Sequence, residues 1–388
     1  MSLPDNFLGY PRPCGRPGIR NRLTILSACG LNAPGARKLA AALPGVALVS
    51  SGYGRGQLGA DKAFHDRMLA RFGTHPNTGA ALVLAADADM RRGLQEGIES
   101  AGRPVAGFSL QEDGEDGERL LARAVAAGRA LLAELAEARR QPCAIRDLAM
   151  AVECGHSDAS SGFIANPLVG DLADALMAAG GAVVMSETME WLGTEPGLYA
   201  RCATPEVATR LRGLVEARHS IARVAGRDPR IGNPGPQNHE GGITTLEEKS
   251  LGAVAKAGTG PVAGALAEGE AVPGAGLYLM DTPTLSPESI SSMVAGGAQF
   301  VVFTTGHGNP YGSAMAPTLK LTANPETARR LPRQIDFDAS AAFTGARSRA
   351  ALLPELAGTV MAICEGREAA AERLDEGDEV ISRLGPSI

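Results

Sequence analysis

Paired cysteines, a basic charge balance, long apolar runs and phosphate-cradling glycine loops are all missing from this 388-residue chain. The six cysteines (Cys14, Cys29, Cys143, Cys154, Cys202 and Cys364) are scattered, with no CxxC pair. This excludes a disulfide-framed secreted domain, since such frameworks place cysteine densely in short chains. The thiols read as reduced, in a cytoplasmic protein, and five of them as small buried hydrophobes or incidental. Cys154 stands apart because it sits among Gly, His, Ser and Asp.

A formal net charge of −6 gives no reason to expect nucleic acid or an anionic membrane as partner. A local basic loop with Arg12, Arg16, Arg20 and Arg22 can still draw an anionic substrate, or be a solvated turn. No run of about 18 apolar residues occurs, so no membrane span is expected. Met1 to Tyr10 has no basic start leading into an apolar stretch, so no signal peptide is expected. There is no Walker A loop and no GxGxxG after a first strand. A nucleotide is therefore disfavoured, and a small carboxylate is the more natural guest.

What is present is an ordinary globular composition, 44% hydrophobic and 21% charged, on a chain long enough for two domains. Leu23–Ser27, Val46–Ser50, Ala80–Ala85 and Pro104–Ser109 are predicted strands with helical patterns between them, followed by an Ala-rich helix over Gly117–Arg140. Asp147–Val152, Gly181–Met185, Gly276–Met280, Gln299–Thr304 and Leu319–Thr322 repeat the pattern. Short apolar strands alternating with helices predict an α/β protein: two α/β domains with mainly parallel sheets covered by helices. The Gln141–Pro142 step suggests a division into residues 1–141 and 142–388, the second carrying most site motifs. The Gly/Ala/Pro stretch from Val254 to Gly276 reads as a flexible connection or lid.

Three polar stretches break the regular pattern. Asn233 to Gly252 mixes proline, glycine, histidine, glutamate, paired threonines and lysine, so it gives up propensity and burial together, as functional loops do. Its end reads as a helix capped by Thr244 or Thr245, with Glu247 and Glu248 at the positive end of the helix dipole. Val152 to Gly170 and Phe303 to Ser313 each follow a predicted buried strand, where open α/β sheets place ligands. Glycine turns of this kind can form anion-binding nests.

These stretches have company along the chain. They join the opening run Gly9 to Asn21, the Gly56–Asp61 and His75–Asn77 segments, Glu187 to Gly193, and Asp281 to Pro283. In this order the motifs resemble the large-subunit, catalytic region of the altronate/galactarate dehydratase family. The resemblance implies a lyase that removes water from a sugar acid to give a 2-keto-3-deoxy acid. It also implies a divalent metal ion, iron foremost, with zinc or manganese as alternatives. A related branch resembles sulfolactate sulfo-lyase, which expels sulfite from a three-carbon hydroxy acid. Family members often carry a small extra domain, fused or separate, so a small partner subunit is expected beside the acid substrate; a homo-oligomer is left open.

The departures are as specific as the matches. Cys14 stands where the family usually has Asp, Ser51 and Arg55 where it has His and Cys, and Ala88 and Asp89 where it has Cys and Glu. His156 replaces a common Gly, Pro196 a His, and His307 an Arg. Three readings follow: a metal site rebuilt around Cys154, His156 and His239, a different substrate, or a non-catalytic sugar-acid-binding homologue.

Chemistry assigns the residues. Removing a proton beside a carboxylate requires neutralising that carboxylate, holding the developing aci-carboxylate, and a base. A metal serves the first two needs. Its candidate ligands are Cys154, His239 and Glu240, with Glu187 or Glu190 in reserve, a soft donor set suited to iron or zinc. His156 is the first candidate base and His239 the second. Lys249 binds the carboxylate, or acts as a base if burial lowers its pKa. Ser157, Asp158 and Ser161 are expected on substrate hydroxyls, with Asn238, Thr244 and Thr245 from the central stretch. Thr304, Thr305, Gly306 and His307 are expected at the far end of the substrate. For the hydroxyl and Asp positions the bland alternative is turn and cap chemistry.

Overall fold

The short apolar runs become parallel strands. The structure, a computed structural model, describes residues 3–382, and the chain forms two compact units. One holds residues 8–143, 314–316 and 377–382; the other holds 3–7, 144–313 and 317–376.

In the first unit β1 (Arg22–Ser27), β2 (Ala47–Ser50), β3 (Thr78–Ala85) and β4 (Val105–Ser109) pair in parallel in the order β2-β1-β3-β4. Every residue of β3 is buried, which is why it reads as a continuous apolar run rather than an alternating one. Leu23, Ile25, Leu82 and Leu84 form its core with Leu39, Leu120 and Leu131 of flanking helices; each such burial is worth roughly 1.5–3 kcal/mol. The helix Gly117–Glu137 starts on Asp116, whose carboxylate accepts from the N–H groups of Glu118 and Arg119.

The second unit has seven strands: β5 (Ala149–Gly155), β6 (Ala182–Met185), β7 (Val262–Leu266), β8 (Gly276–Met280), β9 (Phe300–Thr305), β10 (Thr318–Thr322) and β11 (Phe337–Asp338). All pair in parallel, in the order β11-β10-β9-β5-β6-β8-β7. The chain leaves central β5 toward β6 on one side and returns with β9 on the other. The loops after β5 and β9 therefore border a switch point of an open parallel sheet, where a crevice forms.

One expectation is overturned. Val254 to Gly276 is no loose connection: it holds a short 3-10 turn (Ala255–Ala257) and the edge strand β7. Asp174 pins the turn that follows, accepting from Thr259 N at 2.9 Å and Thr259 Oγ1 at 2.8 Å. Gly170 lets the helix Asn166–Ala178 approach so closely that a Cβ there would lie 2.2 Å from the Ala255 carbonyl. Small residues here serve close packing, which in sequence looks the same as flexibility.

Candidate active site

β5 ends Glu153-Cys154-Gly155, and each residue has a different task. β5 is buried through Cys154, so the polar side chains there must find partners within the protein. Glu153 accepts from Ser289 Oγ at 2.6 Å. Cys154 Sγ accepts from Lys256 Nζ at 3.0 Å and donates to Glu190 Oε2 at 3.4 Å. Lys256, only 1% exposed, also lies 3.4 Å from Glu190 Oε2, and Lys249 Nζ approaches Glu190 Oε1 at 3.6 Å.

Glu187 and Glu190 come from the turn after β6. Trp191 Nε1 donates to the Ser186 carbonyl at 3.2 Å, Glu187 N to Thr282 Oγ1 at 2.9 Å, and Thr188 Oγ1 to Asp281 at 2.6 Å. These bonds hold Glu187 at a left-handed φ of 66°, a conformation that costs a non-glycine residue about 1 kcal/mol or more. His156 is left-handed too, at φ 51°. Two strained residues face the same cleft.

That cleft, about 690 Å³, lies at the carboxyl ends of β5 and β6 and is lined by Cys154, His156, Glu187, Glu190, Asn238, Lys249 and Tyr311 among others. A smaller hollow of about 280 Å³ shares Ser157, Glu190 and Lys249 with it and adds the apolar groups Phe163, Ile243 and Leu251 beside the polar Asp158, Asn166 and Glu248. Polar groups converging beside an apolar wall are what a small-molecule site requires.

The electrostatics sort the carboxylates. Burial, and then the charge of Glu153, hold Glu187 well above the usual carboxylate range, so it keeps its proton. Burial also raises Glu153. Burial would raise Glu190 as well, but Lys256 and Lys249 overcome it and keep Glu190 ionised. Burial, reinforced by Glu190, pushes the Cys154 thiol up to about 11. Burial would lower Lys256, but Cys154 and the surrounding carboxylates hold its ammonium above the ordinary lysine value.

Seven residues named from the sequence line the cleft: Cys154, His156, Ser157, Asn238, Lys249 and the reserve ligands Glu187 and Glu190. His156 Nδ1 sits 2.8 Å from the Gly308 carbonyl, which places its proton on Nδ1 and leaves Nε2 as an acceptor. Lys249 Nζ donates to Asn233 Oδ1 at 2.8 Å. Asn238 bridges two loops, donating to the Ser157 carbonyl and accepting from Gly235 N.

Others are placed elsewhere. Asp158 borders only the smaller hollow, and its carboxylate is taken up by Ser160 Oγ, Ser161 N, Ser161 Oγ and Asn324 Nδ2. Thr245 caps the helix Leu246–Val254, and Thr244 bonds Glu248. Thr304 Oγ1 donates to Asn166 Oδ1, and Thr305 Oγ1 accepts from Gly308 N. Gly306 is needed for room, since a Cβ there would lie 2.4 Å from Asp158 Cγ. His307 packs by the His156 carbonyl. Ser161, Thr244, Thr245, Thr304, Thr305, Gly306, His307, His239 and Glu240 line neither cavity. The bland turn-and-cap reading describes most of these contacts.

The expected metal site does not fit. Among the described residues no three His, Cys, Asp or Glu side chains are grouped so as to hold a metal ion. Cys154, His239 and Glu240 are not brought together: Cys154 is buried against Lys256, whereas exposed His239 turns Nδ1 to the Ile243 carbonyl at 2.9 Å. A thiol held near 11 is also a poor ligand, since metals bind the thiolate.

Sequence reasoning missed Lys256, Glu153 and Tyr311. Lys256 lies between small residues that read as a linker, and Glu153 had only its place at a strand end to mark it.

Comparison with known proteins places the chain. A model described as D-galactarate/altronate dehydratase, C-terminal, matches residues 145–387, and one for D-galactarate dehydratase/altronate hydrolase, second domain, matches 9–136. The (2R)-sulfolactate sulfo-lyase subunit beta of Chromohalobacter salexigens is 34% identical over 97% of this chain and 97% of its own length. The altronate dehydratase of Escherichia coli is 32% identical over 98% of this chain and 78% of its own. That of Bacillus subtilis is 34% identical over 86% and 68%.

Proposed function

Because this chain belongs to the D-galactarate/altronate dehydratase family, we propose that it is a lyase removing water by β-elimination from a sugar acid or related small hydroxy acid. The product is a 2-keto-3-deoxy acid. The observation that carries this reading is a protonated carboxyl, Glu187, an ammonium, Lys249, and a histidine with a free Nε2, His156, around one cleft.

Lys249 binds the substrate carboxylate and offsets the charge that grows on it as the C2 proton leaves. His156 Nε2 takes that proton. The C3–O bond breaks as Glu187 gives its proton to the departing hydroxide, so water leaves and an enol remains. The enol becomes the ketone by moving its hydroxyl proton to C3, and the proton on His156 returns to Glu187 through solvent. Drawing Lys249 toward the substrate removes one of the two cations beside Glu190. Positioned acid and base groups of this kind contribute roughly 10²–10⁴-fold each.

A second reading is sulfite elimination from sulfolactate, favoured by the sulfo-lyase relative matched along both chains almost end to end. Sulfite leaves as an anion without needing a proton, whereas hydroxide needs one; a protonated Glu187 therefore favours dehydration. That relative's designation as a subunit also supports a small partner chain for this protein, and the expected compartment is the cytoplasm.

The test is a panel of aldonates, aldarates and (2R)-sulfolactate, followed by detection of 2-keto acid and of sulfite. Keto-acid formation without sulfite is expected, lost in Lys249→Met and His156→Asn. Sulfite release would move the assignment to the second reading, and silence on every acid, with and without a candidate partner chain, would refute both.

A further inference from the structure

The resemblance calls for a divalent cation, and the structure groups no ligands for one, but it does bury a cation. Lys256 Nζ is bonded to Cys154 at 3.0 Å and to Glu190 at 3.4 Å. The lysine is 1% exposed, and Glu153, Glu187 and Glu190 are 1%, 3% and 6% exposed. Glu190, kept ionised among these buried groups, demands a positive charge beside it, because unpaired buried charge is costly. The ammonium meets that demand.

We propose that Lys256 is the resident cation of this site, standing in the electrostatic role that the resemblance assigns to a divalent metal ion. The proposal rests on the lyase reading only for what the charge is used for. Lys256 lines neither cavity, so it is a positioning residue: it fixes Glu190, and through Glu190 the cleft-facing Lys249. Its own backbone is held firmly. Arg201 donates to the carbonyls of Gly258 at 2.9 Å and Gly260 at 2.7 Å, and Asp174 binds the same turn through Thr259 N at 2.9 Å. A preorganised charge needs no reorganisation when charge develops nearby.

The test uses the full chain and has a readout besides turnover. Purified protein is dialysed against Mn²⁺, Zn²⁺, Co²⁺ and, anaerobically, Fe²⁺, and bound metal is measured. The wild type is expected to take up none stoichiometrically. Lys256→Ala removes the ammonium and leaves three carboxyl groups and a thiol facing a void. It is expected to bind Co²⁺ at least tenfold more tightly than the wild type, with thiolate-to-cobalt absorption in the near ultraviolet. Stoichiometric metal in the wild type, or a folded Lys256→Ala with no gain, overturns the proposal. Should Lys256→Ala not fold, the wild-type titration decides alone. On any acid that turns over, activity is expected to survive exhaustive chelation, and its loss would also overturn the proposal. Absence of turnover on every acid refutes the lyase reading instead, and the metal titration still decides this one.

Discussion

Asp158 offers the sharpest contest between a substrate-binding role and a structural one. Asp158→Ala removes the acceptor of four hydrogen bonds, from Ser160 Oγ at 2.7 Å, Ser161 N at 2.9 Å, Ser161 Oγ at 3.0 Å and Asn324 Nδ2 at 2.7 Å. The Ser161 N–H is a cap-like bond at the head of a helical segment, worth about 1 kcal/mol. The remaining donors are buried or half-buried and become unpaired, for about 1–3 kcal/mol together. The expected loss is about 3 kcal/mol, or roughly 6–12 °C in Tm for a unit of this size. Asp158→Asn should cost less, about 1–2 kcal/mol, because its oxygen can keep the Ser161 bonds while its NH₂ faces the Asn324 NH₂. Gly306→Ala should imitate the loss from the other side, since its methyl would lie 2.4 Å from Asp158 Cγ. Calorimetry of the three variants, beside KM on a turned-over acid, is the assay. An Asp158→Ala protein with wild-type Tm and a KM raised tenfold or more would refute the argument and make Asp158 a substrate ligand.

Two further outcomes follow from the buried titratable groups. Glu187 keeps its proton in the folded protein, so its folded pKa lies above its unfolded value; its contribution is full below the unfolded pKa and is lost as pH rises through the folded one. Glu187→Gln should therefore be the more stable protein at pH 8, by a margin that shrinks toward pH 4, in urea melts, while turnover falls roughly 10²–10⁴-fold. Lys320 is the opposite case: burial lowers it to about 7, its ammonium site lying 3.9 Å over the Phe303 ring and against the Tyr311 carbonyl. The unfolded chain then binds more protons between about 7 and 10.5, so wild-type stability should rise with pH there relative to Lys320→Met. A pH-independent difference between the two would show that Lys320 stays charged when folded.

The strands were legible because burial writes itself locally. Leu23–Ser27, Ala80–Ala85 and Gly276–Met280 are apolar runs bounded by Gly, Pro or polar turns, and each is a strand. Thr245 was readable as a cap for the same reason: its partner, Glu248 N, is three residues away. β7 was not readable, because Gly and Ala in Val262–Leu266 carry no pattern distinguishing tight packing from slackness. The polar loops were visible as loops, but their individual side chains were not assignable. Thr304 and Thr305 stand next to each other on β9, and both turn out to bond protein groups rather than face the cleft.

The sequence by itself determined the α/β class, the parallel strands and the family, since all of these rest on local periodicity or on ordered motifs. Only the tertiary structure decided which charges meet. Lys256 lies 102 residues from Cys154 and 66 from Glu190 along the chain, and a lysine in a run of small residues has no local mark of burial. Folding alone brings that ammonium to the carboxylates and the thiol, and the low dielectric around them then decides which group keeps a proton and which keeps a charge.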